Sequence, residues 1–288
     1  MGKIYLLSTD HLEKSLWFRD EEDFKVAMNY IAIQAAECPE VMVLAFILMS
    51  NHVHFVIRGP KEKVLEFIGR FKHRYSLYYQ RKYGVSGFLR RNGVDIRPVP
   101  EDEPEALEKV IAYVQMNCVA ANICAHPSGY RWWTGNAFFY QGAEGGRHVE
   151  SLSMRAIKKL LHTEFTQLPK KWRICEEGYI LPSSYIDVKM VESRFRTPKR
   201  MNYFLNNSSK ARKKPETQAA SFRDQTVLAA LPDLCRSLFQ KNDFTALDNA
   251  AKVECARQLR YRFGADAHQI ARVCGISYTE AAALLDSV

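Results

Sequence analysis

The stretch Val41-Met42-Val43-Leu44-Ala45-Phe46-Ile47-Leu48-Met49-Ser50-Asn51-His52-Val53-His54-Phe55-Val56-Ile57-Arg58 reads as two strands joined by a two-residue turn. The first part is a continuous apolar run, as expected of a strand buried on both faces. The second alternates and is rich in β-branched and aromatic residues. The short polar gap at Ser50-Asn51 predicts a tight antiparallel hairpin, and Gly59-Pro60 closes its second strand.

Working outward, Lys3 to Thr9 predicts a strand that ends in the polar turn Thr9-Asp10-His11. Glu21 to Glu37 carries Phe24, Ala27, Met28, Ile31 and Ala35 at helical spacing, with Asp20 as N-cap and Pro39 beyond the far end. Lys61 to Tyr83 places Val64, Phe67, Ile68, Phe71, Tyr75 and Tyr78 on one helix face, and Gly84 ends it. Val94 to Val99 predicts a short strand. Glu103 to Cys124 predicts a helix opened by acidic residues, as the helix dipole favours. The first six elements, β-α-β-β-α-β, give the ferredoxin-like split βαβ arrangement. The expected class is α+β: one antiparallel sheet, two helices on one face, the other face free for a site, and a mainly helical C-terminal domain.

The chain has 288 residues and a formal net charge of +9. With 47% hydrophobic and 25% charged residues it has the composition of a globular protein, which excludes a disordered chain. The length favours about two domains. We expect a region over 1–145, a basic helical extension and linker over 146–221, and a helical domain over 222–288. No apolar stretch is long enough for a membrane span, and the apolar part of the N-terminus is too short for a signal peptide. Seven cysteines without a C-x-x-C pair fit a reduced setting, cytoplasmic or nuclear. The charge surplus fits an anionic partner, either nucleic acid or an acidic membrane surface.

His52 and His54 are two apart on a predicted strand, so both side chains leave the same face, opposite Val53 and Phe55. Two such imidazoles can hold one divalent metal. An isolated pair of this kind is more often structural, so its surroundings decide. Tyr113 and Asn117 are four apart and share a helix face. Together the four residues offer metal ligands and a nucleophile that could attack a polarised phosphate.

The region 1–145 resembles the HUH single-tyrosine transposases, closest to their REP-associated branch. The resemblance rests on Phe46 to Val56, then Phe71 to Tyr79 with Tyr83-Gly84, then Tyr113 to Asn117, then Tyr130-Arg131-Trp132. It implies a DNA strand transferase acting on single-stranded DNA near a hairpin. It further implies Mg²⁺ or Mn²⁺ on His52, His54 and Asn117, Tyr113 as the nucleophile that forms a 5′-phosphotyrosine, and either a monomer or a homodimer. The chain departs from the family in having Cys118 after Asn117, where Pro is frequent, and Trp133-Thr134 where a Ser pair is usual.

For DNA contacts, Arg70, Lys72, Arg74, Arg81 and Lys82 on helix 61–83, with Arg90 and Arg91 in the following loop, are the expected phosphate binders beside the metal–tyrosine site. That placement makes a membrane partner the poorer reading. Tyr79 and Tyr83 could stack bases, whereas Tyr75 and Tyr78 are expected in the core. Trp132 and Trp133 suit either role. Lys189, Arg194, Arg196, Lys199, Arg200, Lys210, Arg212, Lys213 and Lys214 stand against the single acid Glu192, which fits phosphate binding or a solvated linker. Gln269 to Leu284 predicts a helix-turn-helix about Gly275, either a DNA reader or a packing element. A DNA-binding regulator without catalysis and a hydrolytic nuclease are the competing functions.

Overall fold

The computed structural model describes residues 2–140, 145–164, 167–211 and 222–287. Strands β1 (Lys3–Thr9), β2 (Met42–Met49), β3 (His52–Gly59) and β4 (Val94–Pro98) form one antiparallel sheet in the order β2-β3-β1-β4. With helices α1 (Glu21–Glu37) and α2 (Lys61–Tyr83) this is the expected ferredoxin-like arrangement. Met49 pairs with His52 across the Ser50-Asn51 turn.

The α1–α2 side of the sheet is aromatic. Phe55 of β3 meets Phe67 and Phe71 of α2 at ring-centroid distances of 6.0 and 5.9 Å. Tyr75 is fully buried and donates its hydroxyl to the Trp17 carbonyl. The caps are local and strong. Asp20 accepts from the Asp23 amide at the start of α1, and Gly84 takes φ 74° at the end of α2.

The opposite side of the sheet is covered by α3 (Ala106–Gln115), which packs on β2 and β3. The helix expected over Glu103–Cys124 is shorter and interrupted. Pro104 disfavours helix at Glu103, and Glu105 takes φ 65°, so α3 begins only at Ala106. At its other end Asn117 Nδ2 donates to the carbonyls of Tyr113 and Val114, competing with the backbone ladder. A single further turn, α4 (Asn117–Ala120), follows, and Asn122 at φ 56° lies beyond it.

The free edge of β2 is closed by later chain. Leu48 donates its amide to the Trp132 carbonyl, Thr134 Oγ1 accepts from the Phe46 amide, and Ile186 bridges Val43. Trp132 and Trp133 are core residues.

The division expected at residue 145 does not separate two cores. One core runs from Tyr5 to Leu205 and takes in α5 (Met154–Leu161), α6 (Val188–Phe195) and α7 (Pro198–Asn206). A second core, Val227 to Leu284, is built by α8 (Asp224–Phe239), α9 (Asn249–Phe263), α10 (Ala267–Cys274) and α11 (Tyr278–Asp286). Helices α10 and α11 meet at Gly275, which takes φ 72°, as the helix-turn-helix reading requires. Most of the glycine-rich boundary at 142–146 and the linker with Arg212, Lys213 and Lys214 lie outside the described residues. Among the described residues no helix is long and apolar enough to cross a membrane.

Candidate functional site

Strand alternation sends Val53 and Phe55 toward α2, and therefore sends His52 and His54 to the α3 side. Both histidines are buried. Their ring centroids are 4.8 Å apart, and the His54 ring lies 6.0 Å from that of Tyr113 on α3.

Each imidazole is held through Nδ1. Ser8, paired with His54 across β1 and β3, places Oγ 2.7 Å from His54 Nδ1. Asn51 in the hairpin turn places Oδ1 2.9 Å from His52 Nδ1. That leaves Nε2 of each ring for another partner, the usual outer-shell device of a metal-binding histidine. His54 Nε2 is buried with no hydrogen-bond partner.

Burial drives both histidines toward the neutral form. Desolvation holds His52 well below the usual histidine range, with His54 and His11 adding to it. Desolvation, with the charge of Lys210, lowers His54 to about 3, while Asn117 opposes the shift. Neutral imidazoles are what a divalent metal requires. Asn117 is buried beside them, with its amide nitrogen committed to backbone carbonyls. Its carbonyl oxygen is the end suited to a cation. Among the described residues no cluster of three or more His, Cys, Asp or Glu side chains is placed to hold a metal. The donor set is thus two imidazoles and a carboxamide. An orphaned buried Nε2 fits such a set.

The five expected phosphate binders on α2 do not share this setting. Helix α2 lies across the sheet from Tyr113, because it packs on the Phe55 side. Four of these five residues are already engaged. Arg70 pairs with Glu66 at 2.5 Å, Arg74 with Glu37 at 2.9 Å, and Lys82 with Asp20 and Asp23 at 2.7 and 2.8 Å. Lys72 donates to the Asn92 carbonyl. Arg81 is exposed on the same remote helix. Tyr79 is buried against Phe88, and Tyr83 donates to Asp23, so neither is a free stacking platform. Arg90 and Arg91 are exposed on a loop tied to Asp10, the neighbour of His11. Asn92 Nδ2 donates to the Asp10 carbonyl, and the Gly93 amide donates to its carboxylate, both at 2.8 Å.

Two further side chains enter the site, His11 and, from the basic run 189–214, Lys210. His11 stacks on His52 with centroids 3.7 Å apart and planes 14° from parallel. Lys210 places Nζ 4.9 Å from the centre of the Tyr113 ring. A cleft of about 720 Å³ runs from His11 and His52, past Ala120 to Ile123, to the C-terminal helices, where it meets Arg223, Arg260 and Arg272. Arg272 is paired with Asp224 at 3.0 Å. Tyr278, Ala282 and Leu285 of α11 line the same cleft, so the second helix of the expected helix-turn-helix faces the histidine end of the sheet.

Residues 14–90 match the family described as "Transposase IS200 like". The match takes in His52, His54 and α2 and stops before Tyr113. The chain is also similar to a solved structure of a REP-associated tyrosine transposase bound to a REP hairpin. The identity is 10% and the TM-score 0.38, over 50% of this chain and 82% of that one. No curated protein matches the chain.

Proposed function

We propose, from the premise that the N-terminal region of this chain is that of the IS200-like transposase family, that the protein cleaves and rejoins single-stranded DNA through Tyr113. The observation that carries this reading is the meeting of Tyr113 with His54, whose Nε2 is buried without a partner.

The chemistry follows from the groups present. Tyr113 Oη attacks a backbone phosphorus and gives up its proton. The Oη–P bond forms, the P–O3′ bond breaks, and the departing 3′ oxygen takes up a proton. The product is a 5′-phosphotyrosine and a free 3′-hydroxyl. Attack by a 3′-hydroxyl on the phosphotyrosine reverses the step, so strands are rejoined without ATP. Ser8 and Asn51 fix the imidazoles, and burial keeps them neutral. Bound by His52, His54 and Asn117, Mg²⁺ or Mn²⁺ would offset the charge that builds on the phosphoryl oxygens. Hairpin-associated DNA is the expected substrate.

The test is a denaturing gel after incubation with Mg²⁺ or Mn²⁺ and a pool of labelled single-stranded hairpins. We expect a covalent protein–DNA adduct that Tyr113→Phe abolishes. Cleavage that persists in Tyr113→Phe would identify a hydrolytic nuclease. Binding without cleavage would identify a regulator.

A further inference from the structure

We propose that Lys210 binds the scissile phosphate against Tyr113, so that the C-terminal extension supplies a cation to the catalytic site. The inference rests on the strand-transfer reading for the identity of that phosphate. It lies outside the matched residues 14–90.

Lys210 follows α7, which packs on α3, the helix that carries Tyr113. Its position is fixed on both sides. Its amide donates to Ser208 Oγ, and the Ala211 amide donates to the Ser208 carbonyl. The half-buried side chain crosses to the tyrosine, with Nζ 4.9 Å from the ring centre. The same charge also acts on His11, His52 and His54, so the ammonium lies within electrostatic reach of the histidine group.

The charge balance there is one-sided. Lys210 has no carboxylate partner among the described residues, unlike Arg74, Lys82, Arg200 and Arg272, each of which has one. Asp10 is the one acid whose charge opposes the shift of His11, and it is engaged with Gly93. A half-buried ammonium beside neutral imidazoles calls for an anion. The ring quadrupole of Tyr113 attracts it only weakly compared with a full charge. A phosphodiester brought to Tyr113 for attack supplies that anion at the face the ammonium already occupies. There Lys210 would offset charge on a non-bridging oxygen as the Oη–P bond forms.

The experiment uses the full chain with Lys210→Met and Lys210→Arg. In a Tyr113→Phe background, the affinity for a labelled single-stranded oligonucleotide is measured across a salt series. Loss of one phosphate contact should make the log–log salt slope shallower by about 0.7, and the Arg variant should restore it. With Tyr113 intact, the single-turnover rate of adduct formation should fall about 10²-fold in the Met variant. An unchanged slope overturns the proposal, even if the rate falls or the melting temperature drops, since those changes alone describe a packing role. Absence of salt-dependent binding in the Tyr113→Phe protein also overturns it. A shallower slope in a protein that forms no adduct leaves the phosphate contact standing and removes the strand-transfer reading instead.

Discussion

Ser8 Oγ and His54 Nδ1 stand 2.7 Å apart across the β1–β3 pair, and this contact points the other ring nitrogen at Tyr113's side of the sheet. Ser8→Ala removes the contact without opening a large cavity. We expect Mn²⁺ affinity, measured by titration calorimetry, to fall about 10- to 100-fold while the fold is kept. Unchanged affinity would exclude Ser8 from orienting the site.

The depressed histidines make stability depend on pH in a defined direction. His54 titrates at about 3 when folded, against 6.5 for an unperturbed histidine. Between these values the unfolded chain binds a proton that the folded chain refuses. The contribution is therefore complete above about pH 6.5 and is lost as pH falls toward about 3. His52 shifts in the same direction. Urea unfolding measured through this window should show a steeper fall for the parent protein than for His54→Asn. Parallel curves would mean that His54 is not buried in the neutral form.

A Cβ at Gly93 would stand 2.5 Å from the tip of the exposed Asp10 carboxylate that its amide binds, so the carboxylate must swing aside and the contact is lost. Gly93→Ala should cost about 1 kcal/mol in chemical denaturation, the worth of one such hydrogen bond. Because Asp10 precedes His11, it should also raise the KM for DNA. A variant with parental stability and KM would show that this loop yields freely.

The separation of α2 from the site gives a contrast between arginines. Arg81→Glu should leave the saturated rate of adduct formation within about twofold, since screening weakens exposed charges at such range. Arg90→Glu with Arg91→Glu, on the loop anchored beside His11, should raise KM at moderate salt. Equal effects from both changes would contradict the placement of α2.

What the sequence made legible was local. The β2–β3 hairpin, the Asp20 cap and the Gly84 stop are written in neighbouring residues, and the period of two put His52 and His54 on one face. Helical spacing also brought Tyr113 and Asn117 together, although the helix is interrupted between them. The basic face of α2 was misplaced for a physical reason. Periodicity separates polar from apolar positions, but it does not say on which side of a sheet a helix packs or which acids its cations meet. Lys82 reads as a free cation until Asp20 and Asp23 are seen beside it. Ser8 and His11 depend on strand register and no short-range pattern marks them, while the basic run marks Lys210 as a cation but only the return of the chain sets it against Tyr113.

The dispersal of the site along the chain has a consequence during synthesis. A nascent polypeptide that has emerged only through α4 already holds His52, His54, Tyr113 and Asn117, but not Lys210 or the α10–α11 wall of the cleft. On the ribosome such an intermediate would present Tyr113 and the imidazoles without the late cation. On the strand-transfer reading, full competence to engage a strand would then arrive only after the extension has folded back onto α3.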